Sequence, residues 1–238
     1  MLGSIALAHG SRSPGQASVV GELARLAQQR DGSLWRPAFL DHHGPALQDA
    51  VSELVGLGCR TLIVVPTLLS NAFHSSIDIP AAVDALSTDA SVTIAEPVGP
   101  DALLFDVVAR HVRAARIHDA KHQAAKRVVV AAAGTSVESA REQFRVAVAR
   151  WSATLHDVDA TAAFIAGGAP DVSDAVGSAL ADGTGPLVVP FTLAGGSLTE
   201  RARAQALIAG AEAFLPPLGA ADEVITILLD RRDACATV

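Results

Sequence analysis

The sequence predicts an α/β protein of two similar domains, each a parallel β-sheet flanked by helices, related by an internal duplication. Two observations carry this expectation. Short apolar, β-branched runs alternate with segments of helical period along the whole chain, the pattern of repeated βαβ units. Blocks of the first half also recur about 124 residues later. Ala38-Phe39-Leu40-Asp41-His42-His43-Gly44-Pro45 returns as Ala163-Phe164-Ile165-Ala166-Gly167-Gly168-Ala169-Pro170, His9-Gly10-Ser11 as Ala133-Gly134-Thr135, and the run from Pro66 to His74 as the run from Pro190 to Leu198. The copies occupy residues 1–118 and 127–238, each of ordinary small-domain size. A pseudo-twofold arrangement is expected, with a cleft at the carboxyl ends of the strands.

The first strand is expected at Ser4 to Ala8, ended by the glycine of His9-Gly10-Ser11. From about Gln16 to Gln29 the residues Val19, Val20, Leu23, Leu26 and Ala27 share one face at a helical period. Trp35 to Leu40 reads as the second strand, and Ala46 to Leu57 as a helix with Leu47, Val51, Leu54 and Val55 as its stripe. Thr61 to Val65 is a continuous apolar run, suited to a strand covered on both faces. Asp78-Ile79-Pro80 looks like a helix start, Ser91 to Ala95 the fourth strand, and Asp101 to Ala115 the closing helix of the first domain. The polar stretch from Arg116 to Arg127 reads as a helix end plus linker. In the second copy, strands are expected at Arg127 to Ala132, Ala160 to Ile165, Pro186 to Val189 and Glu223 to Leu229, with helices near 138–150, 171–181 and 199–213.

A formal charge of -7, with no basic cluster outside the linker, argues against nucleic acid as the main partner. No run of about 18 apolar residues and no charged-then-apolar leader is present, so no membrane partner and a cytoplasmic location are expected. The chain is expected to be a monomer. Cys59 and Cys235 form no metal-binding spacing, and Cys59 reads as a small buried residue. Dinucleotide, P-loop and serine-hydrolase motifs are missing, which leaves nucleotide chemistry without support.

What remains is a polar set that only the first copy keeps. His9, Asp41 and His74 face Ala133, Ala166 and Leu198 in the second copy, while Phe164, Pro170, Asp174 and Pro190 are retained there. The scaffold therefore does not need the three polar side chains. Two imidazoles and a carboxylate at the ends of parallel strands suit a first-row divalent ion such as Fe2+, Co2+ or Ni2+, and a neutral imidazole can equally accept a proton. His42 and His43 also meet glycines in the second copy, and as neighbours they cannot both face the cleft. Trp35, Phe39 and Phe73 read as core or loop packing, the alternative for Phe73, beside His74, being contact with a flat apolar ligand.

Taken in order, His9-Gly10-Ser11-Arg12, Phe39-Leu40-Asp41 with Pro45, and Pro66 to His74 followed by Asp78-Ile79-Pro80 resemble the class II tetrapyrrole chelatases of the sirohydrochlorin cobaltochelatase and ferrochelatase type. The resemblance is close over about the first 100 residues and looser in the second half. It implies a chelatase-like fold and ATP-independent insertion of Fe2+ (for sirohaem) or Co2+ (for cobalamin) into sirohydrochlorin, the metal being a substrate and no nucleotide being used. By the resemblance, His9 and His74 bind the metal and accept pyrrole protons, and Asp41 stands where the family usually has glutamate. Backbone N–H groups of Gly10, Ser11 and Ser13, with Arg12, would meet the ring-edge carboxylates. The alternative is a noncatalytic metal or tetrapyrrole binding protein using the same pocket.

Overall fold

A computed structural model describes residues 1–69, 77–180 and 185–236. In chain order the elements are β1 (Leu2–Ala8), α1 (Pro14–Asp31), β2 (Leu34–Phe39), α2 (Leu47–Gly56), β3 (Thr61–Pro66), α3 (Ile79–Asp84), β4 (Ser91–Ile94), α4 (Leu103–His118) and α5 (Ala120–Gln123). They continue with β5 (Arg127–Ala132), α6 (Glu138–Ser152), β6 (Asp159–Phe164), α7 (Val172–Ala179), β7 (Leu187–Phe191), α8 (Ser197–Ile208), β8 (Ala213–Phe214) and α9 (Asp222–Ala236). Two compact units divide the chain: Met1–Asp101 with Ala220–Val238, and Ala102–Gly219.

The first unit holds a parallel sheet in the order β2-β1-β3-β4. Its central strands β1 and β3 are buried along almost their whole length because both faces are covered. Pro37, which has no N–H to donate, sits in β2, a strand at the sheet edge. Helix α1 begins at Pro14 and ends at Gly32, whose left-handed φ of 72° lets its N–H reach the Gln28 carbonyl at 2.9 Å. Right-handed crossovers send α1 to one face and α2 and α3 to the other, because the chain runs outward in opposite directions from β1 and β3. Ile5, Leu7, Leu62 and Val64 accordingly share a core with Leu47, Val51, Leu54 and Ile79. On the opposite face Ala6, Ile63 and Val65 are buried as well, where α9 packs on β3 and on α1.

Polar contacts hold α9 in place. Arg232, only 7% exposed, donates to Asp31 (2.6 Å) and to the Ser33 hydroxyl (2.9 Å), with its guanidinium 5.8 Å from the Trp35 ring centroid. Burial alone would raise the Asp31 carboxyl, but the Ser33 amide and hydroxyl and the Arg232 guanidinium outweigh it and hold the carboxyl below its ordinary value. Arg30 reaches Asp222 at 2.5 Å, and Arg231 reaches Asp101 at 2.8 Å.

The second unit repeats the plan, with a parallel sheet in the order β6-β5-β7-β8. Val129, Ala131, Ala163, Ile165, Val172 and Val188 form one core cluster. On β7, Phe191 meets Phe105 of α4 at 5.3 Å and Phe144 of α6 at 5.1 Å.

One sequence expectation is corrected, and two helices are grouped across the repeat boundary. Glu223 to Leu229 lies in helix α9, not in a strand, and the fourth strand is instead β8, reached after α8 stops at Ile208 and the chain turns at Gly210 (φ 96°). The closing helix expected for the first domain, α4, packs on β7 and belongs with the second unit, whereas α9 from the end of the chain completes the first. The compact units thus cut the chain differently from the expected 1–118 and 127–238, because each takes one helix from the other copy.

Candidate active site

In the strand order β2-β1-β3-β4 the direction of winding reverses between β1 and β3, so a crevice opens at their carboxyl ends, where open α/β sheets bind ligands. His9 follows β1 at this point and is half-buried. The segment after β3 leaves from the same place, as the Thr67 N–H and hydroxyl both donate to the Leu7 carbonyl, at 2.7 and 3.1 Å. Thr67 is buried and was not singled out from the sequence. Phe73 and His74 lie on this segment, outside the described residues.

The loop after β2 joins the loop after β1 directly. The Leu40 and Asp41 amides donate to the Ala8 and His9 carbonyls at 3.0 and 2.9 Å. Gly10, with φ 98°, passes so close beneath that a Cβ there would fall 1.8 Å from the Asp41 carbonyl oxygen, which explains why this position holds glycine. Asp41 is exposed, and its carboxylate turns onto its neighbour: one oxygen accepts the His42 amide N–H (2.8 Å) and the other lies 3.3 Å from His42 Nε2. Among the described residues, no group of three or more histidine, cysteine or acidic side chains is arranged to hold a metal ion. The expected His9, Asp41 and His74 set includes a residue outside that description.

The two histidines after Asp41 part company. His43 places Nε2 3.1 Å from the Ser13 carbonyl and its ring edge-on to Phe39, 5.6 Å between centroids, so it ties the start of α1 to the β2 loop. His42 stays at the rim with φ 64°, a left-handed conformation that costs a side-chain-bearing residue about 1–2 kcal/mol. Of the residues expected to cradle carboxylates, Arg12 is exposed, while the Ser13 amide is already engaged by the Ser11 hydroxyl at 3.2 Å.

The second unit builds the same rim without these groups. The Ala166 amide donates to the Ala133 carbonyl at 3.0 Å, and a Cβ on Gly134 would lie 1.5 Å from the Ala166 oxygen. Gly167 takes the left-handed conformation of His42, with φ 62°. Arg141 donates to the Thr135 and Gly167 carbonyls, the latter at 2.8 Å, and Arg145 covers the Phe164 ring at 5.5 Å, much as His43 covers Phe39. The duplicate rim is therefore closed by guanidinium groups.

The family model CbiX matches residues 3–115. A sirohydrochlorin cobaltochelatase of Sulfolobus acidocaldarius is 31% identical over 108 residues, which is 45% of this chain and 87% of that protein. One from Methanosarcina acetivorans is 29% identical over 125 residues, covering 48% of this chain and 96% of that protein. Over nearly its full length the chain also superposes on solved structures. SirB from Bacillus subtilis, solved with Fe3+, gives a TM-score of 0.83 at 20% identity, with 99% of this chain and 95% of SirB covered. CbiX, described as the terminal enzyme for biosynthesis of siroheme in denitrifying bacteria, gives 0.66 at 21% identity, with 98% of each chain covered. The ordered motifs of the first half, the paired parallel sheets and these relatives agree, and the chain belongs to the CbiX family of class II tetrapyrrole chelatases.

Proposed function

We propose that this chain inserts a divalent metal, Fe2+ or Co2+, into sirohydrochlorin without a nucleotide. The observation that supports the reading is the position of His9 after β1, beside Thr67 at the end of β3, where the winding of the sheet reverses, within residues 3–115 that match the CbiX family model. Insertion requires the two pyrrole N–H protons to be removed and a partly desolvated ion to be presented to the ring nitrogens. Neutral imidazoles serve both needs, since each offers one lone pair that binds a cation or accepts a proton. His9 and His74 are assigned these roles. Asp41 supplies negative charge beside the incoming ion, and Gly10, Ser11 and Arg12 face the carboxylates of the macrocycle. The metal is a substrate, consumed once per turnover. Among the described residues no helix is long and apolar enough to cross a membrane.

The test is multiple-turnover metallation of anaerobic sirohydrochlorin, followed by absorbance with Fe2+ and Co2+ in turn. The wild type should turn over. His9→Ala should lose activity by at least about 100-fold, in the range of general acid–base loss, yet remain folded, because Ala133 occupies the matching place in the second unit. Stoichiometric binding of either substrate with no turnover would favour a carrier instead.

A further inference from the structure

His42 is unexplained by the roles assigned so far. The second unit shows that the loop after the second strand needs a left-handed residue here and that glycine, which adopts it freely, suffices: Gly167 has φ 62° where His42 has φ 64°. The first unit instead keeps a β-carbon and an imidazole in that conformation, and holds both amide and ring against Asp41, at 2.8 Å and 3.3 Å. A strained side chain retained where glycine would serve points to a use for the side chain. Both side chains reach solvent, His42 35% exposed and Asp41 60% exposed, whereas His43 makes the contacts to Ser13 and Phe39 that tie this loop to its surroundings.

We propose that Asp41 and His42 form a metal-capturing pair at the rim of the first unit, which takes up the divalent ion from solution before it passes to His9 and His74. The inference rests on the proposed function and extends it to two residues that touch each other. An imidazole nitrogen beside a carboxylate oxygen is a competent two-donor set for Fe2+ or Co2+. Two donors bind weakly enough to release the ion onward, and their exposure leaves the metal its remaining water. The adjoining negative charge also makes the pair a poor partner for the carboxylates of the macrocycle, so cation and tetrapyrrole would not compete for it. Asp41 is linked to His9 by a backbone hydrogen bond of 2.9 Å, which places the capturing pair next to the residue that receives the ion.

The variant His42→Gly removes the imidazole and fits the backbone without strain, so its folding is not in doubt. With sirohydrochlorin saturating and Co2+ varied anaerobically, this variant should show a KM for Co2+ raised by about tenfold or more and a kcat within about threefold of wild type. An unchanged KM for Co2+, or a fall in kcat alone, would overturn the proposal. A second measurement is independent of turnover. Titration of the folded full-length His9→Ala protein with CoCl2 alone should reveal residual binding that is at least about tenfold weaker in His9→Ala/His42→Gly; identical binding by the two would overturn the proposal as well. A wild type that binds Co2+ at the pair but metallates nothing would instead defeat the proposed function and leave the pair standing.

Discussion

Gly10 and His42 both have positive φ, for opposite reasons. At Gly10 no side chain fits, so Gly10→Ala should push the β2 loop away from β1 and cost about 2–3 kcal/mol, measured by urea unfolding. His42→Gly should instead stabilise the protein by about 1 kcal/mol in the same experiment, since glycine relieves the strained conformation. A third residue tests burial. The Ser4 hydroxyl is fully buried in β1 and makes no hydrogen bond among the described residues, so Ser4→Ala should raise stability by about 1 kcal/mol. At this scale the sequence shows through its duplicate that the scaffold does not need His9 and Asp41, since Ala133 and Ala166 make the same backbone hydrogen bond. It was silent on which of His42 and His43 stays at the rim. That distinction depends on a backbone dihedral and on the proximity of Ser13 and Phe39, and the second copy has glycine opposite both.

Among the elements, α9 tests the energetics most directly. Arg232 is buried and anchors it to Asp31 and Ser33, so Arg232→Ala removes a packed side chain and leaves Asp31 with only its Ser33 hydrogen bonds, and should cost about 1–3 kcal/mol in chemical unfolding. The pH dependence has a definite sign. Because Asp31 is held below its ordinary value in the folded state, its contribution is present above the usual carboxylate range and is lost as the pH falls through the depressed native value. Acid unfolding of wild type should therefore show a loss of stability in that window that is missing from Asp31→Asn. The alternation of strands and helices in the first half, and β5, β6 and β7 in the second, are legible as apolar runs. Segment 223–229 was not, because a short apolar run fits a strand and a buried helix equally. The buried set Val224, Ile225, Ile227, Leu228 and Arg232 has helical spacing, but its last member is charged and lies beyond the apolar run.

For the whole molecule, the two units each hold a helix from the other copy, and the helices are equivalent: α4 packs on β7 and α9 on β3, which is the repeat of β7. A fragment of residues 1–118 would carry α4 without β7, and a β3 face without α9. Burying both apolar surfaces requires a second fragment, each lending α4 to the other's sheet in an isologous exchange. Light scattering should find this fragment as a dimer, and a cooperatively folded monomer would show that α4 instead folds back onto its own β3. No local pattern could reveal this, since a helix's apolar stripe records that it is covered and says nothing of which sheet covers it.

The displaced α9 also sets an order of maturation during synthesis. Residues 102–219 are contiguous and can close their core as soon as they have been made, but residues 1–101 must wait for α9. At roughly 5–20 residues per second, translating the intervening stretch takes roughly 6–24 s. Throughout that interval the half bearing His9, Asp41 and His42 has Ile63 and Val65 on an uncovered sheet face, open to chaperones and proteases. The half made first is thus the half finished last, and pulse proteolysis of stalled nascent chains should find 102–219 resistant while 1–101 is still cleaved.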